Sequence, residues 1–410
     1  MPRRGRLALL AAVAGPAVGC WETTRPHSAP PPPPGPALTA AARQVTPPDV
    51  AAIPDRLNPV TPPAATDPYQ QLAADQCREL ACTHAATARA ILAVARDEDE
   101  GTRCFDLTHK ADAARVRRTA AGHLAADARN RTAGAALELY VKLLEVELLA
   151  DLLAVTAAEV DELVQTGEKL QGRGFAESPE FFTLRRQQIE TRADYAKLRQ
   201  GARRLNAELK ALMGMGGEPA ALLPTDHIRV PADTLDVEKA VQLGLASRPD
   251  LRLLRDLDAD LSYKTVDAVR QAVIGLMPAL KAVTTAARVL TPGLVPHLAE
   301  PKVANTRRMI RELLTERTAE ADKDIRSAAD EWTSQQELVG IARRRQAVET
   351  ARVDELAVRR KSGAAVEAEY RRAKLDALKA DADVIREAVK WKLADVKVRQ
   401  AMGVLCDGCR

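Results

Sequence analysis

Four glycines, Gly174, Gly214, Gly363 and Gly403, are set out at one spacing twice over: 40 residues separate the members of each pair, and 189 separate the pairs. Each pair brackets the same grammar, a long apolar-periodic run into a small-residue turn and a second run back. The periodicity predicts helices from about Ala111 to Leu170 and Glu180 to Met213, then from about Val303 to Lys361 with a return arm closing at "AMG", residues 401 to 403. In the first of these, Leu137, Tyr140, Val141, Leu144, Leu148, Leu149, Leu152 and Leu153 recur at steps of three and four, which puts a stripe on one helix face. Gly172, Gly174, Ser178 and Pro179 punctuate the first turn, in "GRGFAESPEF", and Ser362 and Gly363 the second, in "KSGAAVEAEY". A long antiparallel hairpin cannot bury its whole apolar stripe alone, so two tandem copies are expected to pack on one another.

Composition agrees with long helices. Apolar residues make up 46% of the chain and aromatics only 3%, which excludes a core built on large rings, and charged residues make up 28%. The 60 basic and 56 acidic side chains are interspersed, giving a net charge of +4, so a clustered basic face for nucleic acid is not expected. The stretch "SRPDLRLLRDLDADLSYKTVDAVRQAVIGLMPAL", residues 247 to 280, reads as one long helix. Ser247 or Asp250 is placed to cap it, Pro249 sits in its first turn, and Leu251, Leu254, Leu257 and Leu261 share a face. Gly275 and Pro278 hand the chain on to something extended.

At the N-terminus Arg3, Arg4 and Arg6 precede a short apolar run, Leu7 to Val18, too short to span a bilayer and suited to export. "AVGC" then resembles the lipobox of bacterial lipoproteins. That resemblance implies removal of residues 1–19 and a lipid on Cys20, which anchors a protein to a membrane without spanning it. The proline-dense stretch from 20 to 68 reads as an extended tether with nothing folded in it.

The duplicated hairpins, with Arg248, Pro249, Asp250 and Leu251 opening a helix that closes on "GLMPAL", resemble the TolC-type outer-membrane efflux proteins. "LMG" at 212 to 214 and "AMG" at 401 to 403 fall where that family ends its return arms. The resemblance implies a homotrimeric, outer-membrane or periplasmic part of a multidrug efflux or type I secretion assembly, conducting passively along a helical tunnel. It also implies that the tips, with Gly172, Arg173, Gly174, Ser362 and Gly363, meet a periplasmic adaptor that links to an inner-membrane pump. The departure lies in the barrel. Each half of a family member inserts two membrane strands of about 9–11 residues each. Here the slots are 97 to 112, short and charged, and 281 to 303, which holds Pro292 and Pro296 and no aromatic residue. The expected fold is therefore mainly α, with two tandem long hairpins in coiled-coil packing and little or no β-barrel. A non-conducting periplasmic coiled-coil lipoprotein with a structural or docking role is the alternative.

Once Cys20 is acylated, Cys77, Cys82, Cys104, Cys406 and Cys409 remain. "CDGC" at 406 to 409 has a spacing usable for zinc or for redox exchange, and Cys77 and Cys82 with His84, and Cys104 with His109, could supply metal ligands, but structural disulfides fastening the chain ends are the favoured reading. No phosphate-binding, dinucleotide, zincin or nucleophile-elbow motif occurs, so neither an enzyme nor a cofactor is expected. The resulting layout is a signal peptide (1–19), a tether (20–68), a first hairpin repeat (69–217), a connector (218–246), a second repeat (247–403) and a cysteine-containing tail (404–410).

Overall fold

The computed structural model describes residues 51–52, 69–103, 109–173, 179–276, 299–362 and 366–406, all within the unit Leu38–Arg410. Its elements are β1 (Ala51–Ala52), β2 (Tyr69–Leu72), α1 (Ala74–His84), α2 (Ala86–Arg103), α3 (His109–Gln171), α4 (Pro179–Met213), β3 (Ala221–Pro224), β4 (Arg229–Val230), α5 (Val237–Ser247), α6 (Pro249–Ala259), α7 (Val266–Leu276), α8 (Ala299–Lys361) and α9 (Glu367–Ala401).

The two hairpins are matched in length: α3 and α8 have 63 residues each, and α4 and α9 have 35 each. At 1.5 Å per residue the long arms run about 95 Å and the return arms about 52 Å. Proline explains the clean runs. It is missing from the interior of all four helices and stands only in first turns, at Pro179 and Pro301, where its lost N–H would have had no partner.

Both return arms stop in the same way. Gly214 and Gly403 have φ of 73° and 75°, the left-handed region that a Cβ disfavours. After α4, Gly214 N–H donates to Ala211 O and Met215 N–H to Lys210 O; after α9, Gly403 N–H donates to Gln400 O and Val404 N–H to Arg399 O. This is the paired 5→2 and 6→1 closure of a Schellman motif, built twice from equivalent residues.

One large core lies where both return arms end. It joins Tyr140, Leu143, Leu144 and Leu148 of α3, Leu209 and Met213 of α4, Leu222 and Leu223 of β3, Ile325 and Trp332 of α8, and Val389, Trp391 and Val398 of α9. Trp332 and Trp391 meet edge to face, 5.7 Å between ring centres. Leu143 is as buried as the predicted stripe, because α3 packs against α1, α2, α4, α6, α7 and α9. Burial of α3 on several faces replaces the single stripe expected from sequence.

Further corrections concern the segments between hairpins. The helix read across 247 to 280 is two helices. α6 ends at Ala259; the Thr265 hydroxyl then donates to Asp260 O at 2.6 Å and accepts from Ser262 N–H at 2.9 Å, while Val269 N–H donates to Thr265 O and starts α7. A Ser/Thr pair competing for backbone groups is a turn signal that the leucine spacing hid. Leu251, Leu254, Leu257 and Leu261 are all buried across that break, each worth roughly 1.5–3 kcal/mol. The N-cap of α6 is Arg248, with no side-chain cap, rather than Ser247 or Asp250. The stretch read as an unfolded tether contributes β1, antiparallel to β4, with Ala51 opposite Val230. The span read as connector holds β3, which pairs in parallel with β2, and α5, which is capped by Asp236 through Lys239 N–H. Pro278 and most of the second strand slot lie outside the described residues.

Candidate functional site

Two places on the hairpins carry the residues singled out by sequence. The first is the foot of α6. Arg248 Nε and Nη2 donate to Asp250 Oδ1 and Oδ2 at 3.1 and 2.9 Å, and Nη1 reaches Asp324 of α8 and Ala401 O of α9. Burial lowers the guanidinium's affinity for its proton, yet Asp250 and Asp324 outweigh that and raise its pKa. Ser247 donates to Met402 O at 2.6 Å, and the Gly403 turn rests against Arg248 and Pro249. Leu251 is fully buried. The Arg–Pro–Asp–Leu motif thus seats α6 on the end of the second return arm. In the first repeat Gly214 meets His84, at the α1–α2 junction, in the same manner. A groove of about 510 Å³ opens beside the motif, with His123, Asp127, Asp324 and Lys397 among its walls. Its charged walls are paired, Arg248 with Asp250, Arg131 with Asp127 and Lys397 with Glu331, and His123 shares a hydrogen bond with Asp256.

The second place is the tip. Gly172 and Arg173 are exposed just beyond α3, and Ser362 is exposed just beyond α8, its hydroxyl donating to Arg359 O. Gly174 and Gly363 lie outside the described residues. Next to these turns is a clamp that the sequence reading missed. Arg371 of α9 pairs with Glu159 and Glu162 of α3 and with Glu367, and Lys374 pairs with Glu159. Burial opposes the Arg371 charge, but Glu162 and Glu367 prevail and raise its pKa. Glu159/Glu162 and Arg371/Lys374 are each three apart and so lie one turn apart on their helices, a spacing visible in sequence but without a partner assigned. The aromatics below the turns are repeat-equivalent too. Arg185 stacks over Phe181 at 4.8 Å; Tyr370, 189 residues on from Phe181, has Lys374 over its ring at 5.7 Å in the equivalent position and Arg360 of α8 at 4.2 Å. Phe181 packs with Val160, Leu163, Val164 and Leu375, joining the two hairpins.

The cysteines divide. Cys82 of α1 is bonded to Cys406, with Cα atoms 6.2 Å apart. Cys77, a candidate disulfide partner by sequence, is instead a free thiol with no exposure. Burial first, and the Asp226 charge second, push its pKa up to about 12. Cys20, Cys104 and Cys409 lie outside the described residues. Among the described residues no His, Cys, Asp and Glu cluster could hold a metal ion, and no helix is long and apolar enough to cross a membrane.

No protein-family model matches the chain, and no curated protein matches it by sequence. Solved structures do match in fold. A membrane protein from Pseudomonas aeruginosa aligns with a TM-score of 0.57 at 12% identity, over 80% of this chain and 90% of its own. The outer-membrane channel OprN aligns at 0.56 and 14%, over 87% and 97%. The open state of the MtrE outer-membrane channel of Neisseria gonorrhoeae aligns at 0.53 and 10%, over 82% and 90%. The chain therefore has the helical fold of TolC-type outer-membrane channels. At these identities the likeness is one of architecture.

Proposed function

We propose that this protein is the outer-membrane or periplasmic component of an efflux or type I secretion assembly, a passive conduit whose helical body stands in the periplasm on a lipid-bearing Cys20. The observation that carries this reading is the pair of 63- and 35-residue hairpins in the fold of outer-membrane channels over more than four fifths of the chain. The body is proposed to be a homotrimer. Leu338, Ile341 and Val348 recur along one side of α8 at steps of three and seven and are 41 to 67% exposed, and Phe182 and Ile189 of α4 are 58 and 69% exposed. Neighbouring copies would cover such stripes. The tips around Gly172, Arg173, Gly174, Ser362 and Gly363 are proposed to meet the adaptor.

A second reading has a specific observation in its favour. α2 runs to Arg103 and α3 starts at His109, so the first strand slot shrinks to residues 104–108, less than a single membrane strand. This supports a body that spaces or docks without closing a full barrel of its own. Reconstitution of the purified oligomer into planar bilayers decides between the two. Discrete conductance steps support the conduit, and a silent bilayer with verified oligomer supports the spacer.

A further inference from the structure

The chain's last described residues are tied across the molecule. Cys406 follows the second return arm, and its partner Cys82 lies in α1 of the first repeat, 324 residues away. Around that bond, Arg78 Nη1 donates to Leu405 O at 2.8 Å, and buried Asn130 of α3 accepts from Leu405 N–H at 3.1 Å and donates to Gln400 O at 3.0 Å. The two sulfurs are not equivalent. Cys82 has no exposure, whereas Cys406 is half-buried and borders a cavity of about 60 Å³ that His123, Ser247, Pro249 and Arg252 also line.

From this asymmetry we infer that Cys406 is a site of thiol–disulfide exchange, and that the Cys82–Cys406 bond is a reducible clasp fastening the C-terminal segment to the first repeat. The reactant class is a small thiol or a dithiol protein. Its thiolate enters beside Arg252 and His123 and attacks Cys406 Sγ; the new S–S bond forms there, the Cys82–Cys406 bond breaks, and its electron pair leaves on Cys82 Sγ. The proton shed by the incoming thiol is taken up at Cys82; a second thiol then attacks the reactant sulfur of the mixed disulfide, which releases Cys406 as a free thiol and the disulfide of the two reactant thiols. Cys82 lies in the last turn of α1, and the clasp re-forms by the reverse steps when the disulfide form of the reactant is in excess: Cys82 attacks Cys406 Sγ of the mixed disulfide and expels the reactant thiol. Cys77, five residues earlier on the same helix, does not compete, because its buried thiol stays protonated. The inference is independent of whether the body conducts.

The test uses the full oxidised chain carrying Cys409→Ser, so that the C-terminal peptide has one cysteine. It is incubated with reduced glutathione under native conditions, acid-quenched and mapped by mass spectrometry, with hydrogen exchange followed in parallel. The expected result is a glutathione adduct on Cys406 and a free Cys82. Exchange should rise at least about tenfold at 402–406 and in the last turn of α1, with α3 and α8 unchanged. The double variant Cys82→Ser, Cys406→Ser should show the raised exchange without thiol and no further response to it. An adduct found on Cys82, an adduct formed only after denaturant, or unchanged exchange on reduction would each overturn the proposal.

Discussion

Gly214 and Gly403 occupy the same backbone conformation but different surroundings, and that difference is measurable. Alanine at either costs about 1 kcal/mol for the left-handed φ alone. At Gly214 the added methyl meets the His84 ring, which can swing away; at Gly403 it lies 3.0 Å from Arg248 Cα and 3.1 Å from Pro249 Cδ, which cannot. Denaturant unfolding should therefore place Gly403→Ala roughly 1–2 kcal/mol below Gly214→Ala, and equal losses would show that the seat at α6 yields. Cys77 gives a second test at this scale. Its folded pKa of about 12 exceeds the ordinary 9.0, so the stability it contributes is complete below pH 9 and is lost as pH rises toward 12. Relative to Cys77→Ala, the unaltered chain should lose on the order of 4 kcal/mol across that window. Native-state alkylation at pH 8 should leave Cys77 unmodified. The positions of both glycines were legible as punctuation. Their shared left-handed conformation was not legible, because a glycine after a helix marks its end without fixing its φ. The pairing of Cys82 with Cys406 was not legible, because spacing says nothing about which of five cysteines a 324-residue separation brings together.

Among the elements, long arms are stable through their contacts rather than their propensity, and the polar contacts between them are unequal. Glu147 of α3 and Arg199 of α4 form a nearly buried pair at 2.6 Å; burial raises the Glu147 pKa and Arg199 opposes that shift. Glu147→Ala strands the guanidinium and should cost about 3 kcal/mol, whereas Glu147→Leu with Arg199→Met should recover most of it. Nearer the tips, the clamp of Arg371 and Lys374 on Glu159 and Glu162 couples the second hairpin to the first. Arg371→Glu should raise hydrogen exchange at 155–165 and 367–375 without altering the Trp332–Trp391 core, and the charge-reversed pair Glu159→Arg, Arg371→Glu should restore protection. If the single reversal leaves both segments protected, the apolar contacts of Phe181 with Leu375 hold the arms alone. Hairpin lengths were readable within a few residues because proline and glycine mark their ends. The clamp was not, since interspersed Glu and Arg on solvated helices look alike until the partner helix is known. The α6–α7 break was hidden for the opposite reason: Leu251 to Leu261 keep helical spacing to the end, and Thr265 decides the turn through a backbone bond that carries no periodic signal.

For the whole molecule, the repeat explains both what packs and what is left over. The large core draws on both halves at the level where the return arms stop, so each hairpin completes the other's burial there. Opposite the face of α8 that enters this core, the helix keeps an apolar row, Leu338, Ile341 and Val348, facing outward. Isolated exposed apolar residues need no account, but three at recurring helical positions on one face of one arm have a common direction and so a common occupant. Under the trimeric reading, that occupant is the adjacent copy. Ile341→Asp with Val348→Asp, 53 and 67% exposed in the single chain, should leave helix content by circular dichroism unchanged while sedimentation shifts from trimer to monomer. Aspartate at truly solvent-facing sites changes stability by less than about 0.5 kcal/mol, so it would leave both measurements where they were. A trimer that survives the double substitution moves the interface to Phe182 and Ile189 of α4, where the paired test Phe182→Asp, Ile189→Asp applies the same logic to the other hairpin.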